Sequence, residues 1–456
     1  MKILESKIFD IINNILSFIQ VKTDLIRQNS YIFANIDVFI LLAIVATYIV
    51  STFGTTEQIG MISFVVPILV VIKVLITKGE KIELEHCNFW LLMYLIICFI
   101  TNFTSSMPFQ SLYGFMKTLI YFAFYFALCQ FLKSNKHYIT VILFVIAAIM
   151  SVESIIGLVQ NAAGVENIST WQDTSYVNPE DVLARVYGTL KPYNPNLFGG
   201  YLIAGFTSII AICALHFKNK NFLSAIIALT FTFIIALCIF LTGCRGAYLA
   251  LFVIILTILF ASFQIIFFDF NNNRIKRLWK YITGAFIVGG TAFMLLNHGI
   301  FHRLMSIFIL RGDSSTSFRM NVYNSAIQMF QDNPICGIGV GNKVFREIYG
   351  LYMLSGFDAL SCYCVFLEMA VESGIFALIA YLLFIGNLLF NGIKTFITSK
   401  ELAGKIIIFA TTAAILAVML HGLFDTVYFR PQIQYIFWTM AAILTTMVRK
   451  TVSIEK

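Results

Sequence analysis

Residues 222–241 read FLSAIIALTFTFIIALCIFL, an apolar stretch that contains no Asp, Glu, Lys or Arg. A helix of about 20 apolar residues crosses the roughly 30 Å of hydrocarbon in a bilayer. The stretch lacks the period-2 alternation of a barrel strand, and a spanning backbone must satisfy its own hydrogen bonds. We therefore predict a transmembrane helix here, with Lys218 and Lys220 at one end and Arg245 just beyond the other.

The rest of the chain repeats this pattern. Hydrophobic residues make up 59% of the sequence and charged residues 12%, against about 45–50% and about 25% in soluble domains. The sequence predicts an all-α polytopic membrane protein of about 12 transmembrane helices. The predicted spans are Val38–Phe53, Ile59–Ile76, Phe89–Phe103, Leu112–Leu132, Ile139–Val159, Leu197–His216, Phe222–Leu241, Ala247–Phe268, Tyr281–Leu296, Cys364–Leu389, Ile406–Leu420 and Ile433–Val448.

The basic residues orient these spans, because Lys and Arg in short loops favour the cytoplasmic side. The N-terminal segment, alternate loops and the tail hold 21 of the 31 basic residues. This distribution predicts two cytoplasmic termini, in the bacterial inner (plasma) membrane. The net charge of +8 is attributed to this topology and to lipid headgroups, so membrane lipids are expected partners and nucleic acid is not.

The same pattern divides the chain into four regions. The first is a cytoplasmic amphipathic segment, interpreted as an interfacial helix. The second and fourth regions hold the transmembrane spans. The third is a long external loop, and loops of this length are usually functional or disordered. The predicted boundaries are 1–32 for the amphipathic segment, 33–296 for spans one to nine with an external loop at 160–195, 297–363 for the long external loop, and 364–456 for the last three spans and the cytoplasmic tail.

The ten remaining basic residues fall on or near the external side. Arginine there runs against the topological bias, and an anionic ligand is the simplest explanation. Ionisable residues at the outer ends of spans agree with this, since intramembrane charge is a functional-site hypothesis by default. For each residue alone, a solvated or salt-bridged helix end is the alternative. The carboxylates and histidine concerned are Glu153, Glu368, Glu372 and His421.

The long external loop contains a helical pattern. Phe318, Val322, Ala326, Met329 and Phe330 recur at helical spacing with polar residues between them, which predicts an amphipathic helix that ends at Asn333-Pro334. The glycine-rich run at 337–342 lacks the spacing of a nucleotide-binding loop and is predicted to be a tight turn. Metal-ligand motifs and nucleotide-binding loops are absent from the sequence, so neither a metal nor another cofactor is expected.

Several separated motifs resemble the O-antigen ligase and polymerase superfamily over about residues 185–440. They are RVYGT at 185–189, NPN at 194–196, TGCRGA at 242–247, FR at 318–319 and NP at 333–334. Within that superfamily the sequence is most similar to the branch of IctB-type bicarbonate transporters. That similarity rests on RGDSS at 311–315, VFLEMAVESG at 365–374, HGLFDTV at 421–427 and RP at 430–431.

The superfamily resemblance implies a GT-C-like fold and a metal-independent glycosyltransferase at the external face of the membrane. Its substrates would be a polyprenyl-diphosphate-linked glycan and a glycan or lipid acceptor. Carried over to this sequence, Arg185, Arg245 and Arg319 would bind the diphosphate, for which the planar arginine fork is suited. Supporting roles are predicted for Asn194, Asn196, Glu372, Asp425, Arg430 and Tyr363.

One departure concerns the catalytic base. Many ligases carry a His-Asn pair where the long loop meets the next helix, and this sequence has Tyr363 and Cys364 there. His421 and Glu368 are therefore predicted as catalytic residues, because both side-chain types transfer protons near neutral pH. For His421 the alternative is a hydrogen-bonded histidine at a helix end.

The sequence leaves two other functions open. The branch similarity implies an inorganic-carbon transporter or a transport-associated protein. A transporter would place its ionisable groups near the bilayer midplane, whereas this sequence gathers them toward the outer side, which favours the enzyme. The third possibility is a non-catalytic protein that binds a lipid carrier, consistent with Tyr363 at the position of the base.

Overall fold

The computed structural model describes residues 2–82, 88–164, 185–270, 272–296 and 314–452. Within these ranges every regular element is helical and none is a strand, so the predicted all-α fold is confirmed for this part of the chain. Large parts of the two predicted external loops, residues 165–184 and 297–313, lie outside the described residues. Arg303 and Arg311, two of the ten basic residues predicted on or near the external side, lie there too.

The described residues form 17 α-helices. In chain order they are α1 (Lys2–Asn29), α2 (Tyr31–Ala34), α3 (Ile36–Phe53), α4 (Thr56–Ile62), α5 (Val65–Ile76), α6 (Asn88–Thr104), α7 (Pro108–Ser134), α8 (Tyr138–Ala163), α9 (Pro195–Lys218), α10 (Phe222–Leu241), α11 (Arg245–Gln264), α12 (Asn273–Leu296), α13 (Ser314–Asp332), α14 (Asn342–Tyr349), α15 (Val365–Thr398), α16 (Leu402–His421) and α17 (Pro431–Val452). A π-helical turn, Ile265–Asp269, extends α11, and a 3-10 turn, Val427–Phe429, precedes α17.

Within the described residues, nine helical segments are long and apolar enough to cross a membrane, which indicates a multi-pass membrane protein. They are Ile36–Phe53, Thr56–Ile76, Pro108–Ser134, Tyr138–Ala163, Pro195–Lys218, Phe222–Leu241, Arg245–Asp269, Val365–Thr398 and Leu402–His421. The shorter α6 is also apolar. The predicted count of twelve would need α6, α12 and α17 as well, and it stays a prediction.

Helix α17 carries several polar side chains although it lies inside the bundle. Two of these side chains pair with tyrosines of neighbouring helices. Thr439 is 2.6 Å from the Tyr48 hydroxyl and Thr445 is 2.9 Å from the Tyr125 hydroxyl. Buried hydroxyls of this kind need such partners. A polar residue at either position therefore marks the interior of the bundle rather than contact with water.

Helix α9 occupies the centre of the bundle. In the most apolar 18-residue stretch of α9, 89% of the residues are buried, compared with 28% in α10. The helix packs against α8, α10, α11 and α16. Pro195 occupies its first turn and Asn194 caps it by accepting a hydrogen bond from the backbone N–H of Asn196 at 2.8 Å. Proline and asparagine are favoured at these two positions. The start of α9 is thereby fixed, and the candidate site is built around it.

Helix α15 is broken at Gly374, whose φ of 81° lies in the left-handed region. The backbone of 334–341 enters the break. Ile375 donates its N–H to the Pro334 carbonyl at 2.8 Å, and Gly339 donates to the Glu372 carbonyl at 3.0 Å. The glycine run at 337–342 is thus more than a tight turn, because it supplies the hydrogen bonds that the broken helix lacks.

The inserted segment is also held from its other side. Ser105 donates its hydroxyl to the Ile338 carbonyl at 2.7 Å, and the Ser111 hydroxyl accepts from the Val340 N–H at 2.8 Å. A Cβ on Gly114 of α7 would lie 2.2 Å from the Val340 carbonyl oxygen. Irregular backbone beside membrane helices is tolerated where protein groups satisfy it in this way.

The predicted amphipathic helix is present as α13, which ends at Asp332. Its apolar face, including Val322, Ala326 and Met329, is fully buried. That face packs with Phe345 of α14 and Val371 of α15 in a small core separate from the main one. Residues 314–364, called the outer segment below because their core is separate from the main one, are therefore anchored on the broken part of α15.

Candidate functional site

Five polar residues from four separate parts of the chain meet at one end of the bundle. Arg185 precedes α9 and donates from Nε to the Thr242 carbonyl at 2.8 Å. It also donates from Nη2 to Oδ1 of Asn196, in the first turn of α9, at 2.6 Å. One guanidinium thus joins the start of α9 to the turn between α10 and α11.

Asp425 extends this network to helix α13. It lies after α16 and accepts a hydrogen bond from Nδ2 of Asn196 at 3.0 Å. Nη2 of Arg319 lies 3.6 Å from the same carboxylate oxygen. Nη1 of Arg319 donates to the Phe424 carbonyl at 2.8 Å. The result is a continuous chain of contacts from Thr242 through Arg185, Asn196 and Asp425 to Arg319.

The loop that carries Arg185 is held in place by α8. The Glu153 carboxylate accepts hydrogen bonds from the backbone N–H of Thr189, at 3.0 Å, and from the Thr189 hydroxyl. Gln160 accepts from the backbone N–H of Gly188 at 3.0 Å. Glu153, one of the ionisable residues singled out in the sequence, therefore anchors the loop and contacts no predicted diphosphate ligand in these hydrogen bonds.

Arg245 is the first residue of α11 and is half-buried. Backbone N–H groups at a helix N-terminus attract anions, and the turn before α11 contains Thr242, whose carbonyl binds Arg185. Arg245 therefore begins its helix beside the network formed by the other two predicted diphosphate ligands.

His421 ends α16 and is 3% exposed. Its Nε2 lies 3.4 Å from Sγ of Cys244, the residue immediately before α11. It also interacts electrostatically with Asp425 and Arg319. The structure thus brings the predicted catalytic histidine to the arginine network.

Tyr363 supports Arg319. Its ring lies under the guanidinium, 5.3 Å from ring centre to Cζ, and its carbonyl accepts from the Tyr323 hydroxyl at 3.3 Å. Burial raises the pKa of the Tyr363 phenol, and the nearby Asp425 raises it further. A phenol that stays protonated near neutral pH does not replace the histidine found in many ligases at this position.

Glu368 and Glu372 lie one turn apart on α15, and both are buried. Glu368 accepts a hydrogen bond from the Cys362 N–H at 3.0 Å and interacts electrostatically with Asp425 and with the exposed Arg430. Among the described residues, no group of three or more His, Cys, Asp or Glu side chains is arranged to hold a metal ion. Glu368 therefore lies close enough to Asp425 to interact with it, without joining the hydrogen bonds of the arginine network.

Residues 229–382 match the family model described as O-antigen ligase. No curated protein matches the chain. The match supports the resemblance to the O-antigen ligase superfamily and an O-antigen ligase-like membrane enzyme, for which lipid-linked glycans are the implied substrates. The IctB-type branch and the GT-C-like fold stay predictions.

The ligase-like segment holds only part of the site. Arg245, Arg319, Tyr363, Glu368 and Glu372 lie within the matched residues. The remaining predicted site residues lie outside it. They are Arg185, Asn194 and Asn196 before the segment, and His421, Asp425 and Arg430 after it.

Three participants were not predicted from the sequence. Thr242 contributes a backbone carbonyl, which any residue could supply, and Gly374 acts through a helix break that its local sequence does not indicate. Cys244 lies within the TGCRGA motif, in which Arg245 is the charged residue and therefore the one predicted to bind the diphosphate. A thiol becomes informative only when its spatial neighbour, here His421, is known.

Proposed function

We propose that this protein is a membrane glycosyltransferase of the O-antigen ligase type. It would act on a polyprenyl-diphosphate-linked glycan at the external face of the bacterial inner membrane. The observation that carries the proposal is the network of Arg185, Asn196, Asp425 and Arg319. It gathers two of the three arginines that the resemblance assigns to the diphosphate, at the end of the bundle where Arg245 begins α11.

The arginines would act on the leaving group. In transfer, an acceptor oxygen forms a bond to the anomeric carbon while the bond from that carbon to the diphosphate oxygen breaks. The electron pair leaves with the lipid diphosphate. Guanidinium groups held in advance stabilise this developing charge without rearrangement. Asp425 and Asn196 hold Arg319 and Arg185 in position by the contacts described above.

Proton transfer is assigned to His421, with Glu368 as the second candidate. His421 lies within electrostatic reach of Asp425 and Arg319, so an acceptor hydroxyl activated there would be next to the leaving group. Glu368 is buried and bonded to the backbone N–H of Cys362. Its place near Asp425 makes it suited to tune the site electrostatically.

The topology and energy source follow from the same proposal. The site end of the bundle would face outward, with both termini in the cytoplasm, as the basic residues predict. The lipid diphosphate supplies its own leaving group, so neither nucleotide nor ion gradient is required. A glycan acceptor would make the protein a polymerase and a lipid acceptor a ligase.

The experiment is reconstitution of the purified protein in liposomes with a polyprenyl-diphosphate oligosaccharide and candidate acceptors. We expect glycan transfer and release of the polyprenyl diphosphate in the presence of a chelator and without ATP. Tight binding without transfer would contradict the enzyme and support a lipid-carrier binding protein. Bicarbonate uptake into the same liposomes without transfer would support the transporter.

A further inference from the structure

The imidazole ring of His421 lies in a slot formed by two glycines. A Cβ atom on Gly200 of α9 would lie 3.3 Å from Cε1 of the ring, and one on Gly246 of α11 would lie 3.3 Å from Cδ2. Both distances are tighter than ordinary carbon contacts. Since the ring fills the space between two helix backbones, its position is fixed by packing.

The end of this slot is closed by a thiol. Sγ of Cys244 lies 3.4 Å from Nε2 of His421, and both residues are buried. The backbone N–H of Cys244 donates to the Thr242 hydroxyl at 3.2 Å, while the Thr242 carbonyl accepts from Arg185. The turn at 242–244 therefore connects the thiol and imidazole to the arginine network.

Electrostatic interactions couple the protonation of Cys244 to that of His421. Burial raises the pKa of the Cys244 thiol, but the interaction with His421 lowers it, and the net result is a pKa below the ordinary value. The other charged groups that interact with the pair are Asp425 and Arg319. Two groups coupled in this way take up and release protons as a pair.

We propose that Cys244 is a positioning residue for His421, and that the two side chains share a proton through the contact between Sγ and Nε2. The pairing itself does not depend on the reaction. Its consequence rests on the proposed function: the acceptor hydroxyl gives its proton to the pair, whose product form is a thiol with an imidazolium. The acceptor oxygen then bonds to the anomeric carbon as the diphosphate leaves.

The pairing is tested without any activity assay. The full-length protein in detergent is labelled with ¹³C at the cysteine Cβ atoms, and the Cys244 signal is assigned by its loss in Cys244→Ser. We expect His421→Asn to raise the pH at which Cys244 deprotonates by about one unit or more, because burial then acts without the imidazole. An unchanged titration of Cys244 would overturn the proposal. Cys336, half-buried in the outer segment, gives the internal control signal, which the substitution should leave unchanged.

The consequence for catalysis is tested by two substitutions. Cys244→Ser keeps a hydrogen-bonding group beside Nε2, and Cys244→Ala removes it. We expect the alanine variant to lower kcat and to alter the pH profile of transfer, with an unchanged KM for the lipid donor, while serine restores most of kcat. A wild-type pH profile in Cys244→Ala would contradict this role. If the unmodified protein transfers no glycan, the proposed function fails, and the thiol titration still decides the pairing.

Discussion

Asn196 and Asp425 are 229 positions apart in the sequence, and Nδ2 of Asn196 donates to Oδ2 of Asp425 at 3.0 Å. This one hydrogen bond joins the first turn of α9 to the loop after α16. Because Asn196 also accepts from Arg185 and Asp425 also pairs with Arg319, the bond sets the relative position of the two arginines.

Asp425→Asn should therefore impair transfer more than binding. The amide keeps the size of the side chain but loses the charge that holds Arg319, and misplacement of a catalytic group by about 1 Å costs up to about 10²-fold in rate. We expect a fall of that order in kcat, measured with the reconstituted protein. The matched control is Asp358→Asn, which breaks the exposed pair with Arg346 in the outer segment. Equal rates for the two variants would contradict the positioning role.

Tyr363 should act through its ring and not through its hydroxyl. Tyr363→Phe keeps the surface under the Arg319 guanidinium and should transfer at close to the wild-type rate. Tyr363→Ala removes a cation–π contact worth about 0.5–2 kcal/mol, which corresponds to roughly 2-fold to 30-fold in rate. Initial rates of transfer check both expectations. Loss of activity in the phenylalanine variant would instead assign chemistry to the phenol.

Gly374→Ala should destabilise the protein. The backbone there has a φ of 81°, and a Cβ would lie 2.0 Å from the Ile335 carbonyl oxygen. Strained backbone of this kind costs about 1–3 kcal/mol, and the overlap adds to it. We expect a lower Tm in detergent and less monodisperse protein. Gly386→Ala in the same helix is the control, because its Cβ would meet nothing within 4 Å. Equal Tm values for the two variants would show that the break is not required.

The proposed topology is tested by single-cysteine labelling in intact cells, in a background without the native cysteines. Met320→Cys on the exposed side of α13 should react with an impermeant reagent, and Lys276→Cys should be protected until the cells are opened. Met320 is exposed and Lys276 is half-buried in the structure. Protection of residue 320 together with labelling of residue 276 would reverse the orientation and place the arginine network in the cytoplasm.

The helical architecture was predictable because it follows from runs of apolar residues, such as 222–241, that are local in the sequence. The position of α13 was predictable for the same reason, from the spacing of Val322, Ala326 and Met329. The break at Gly374 was not, because it depends on the backbone of Pro334 and Ile335, some 40 residues away. The break can therefore be recognised only in the folded structure.

The site was predicted as a set of residue types, and the structure adds their pairings. The external arginine excess and the superfamily motifs pointed to Arg185, Arg245 and Arg319. Arg319 bonds a carbonyl 105 positions away, and Cys244 and His421 are 177 positions apart. Glu153 was predicted as a functional residue from its charge alone, but its carboxylate binds the loop that carries Arg185, at Thr189. Residue type identifies a capable group, whereas its role depends on the neighbours that folding supplies.

The most direct test of the central claim is the initial rate of glycan transfer from a polyprenyl-diphosphate donor by Arg245→Ala and Arg319→Ala, each reconstituted at the wild-type level. Loss of one donor to the developing charge typically costs about 10²–10³ in rate, and we predict a fall of this size for each variant with normal folding. Lysine should rescue Arg319 poorly, because Nη1 and Nη2 bond two different groups and lysine lacks the planar fork. Transfer at the wild-type rate by both alanine variants would contradict the account.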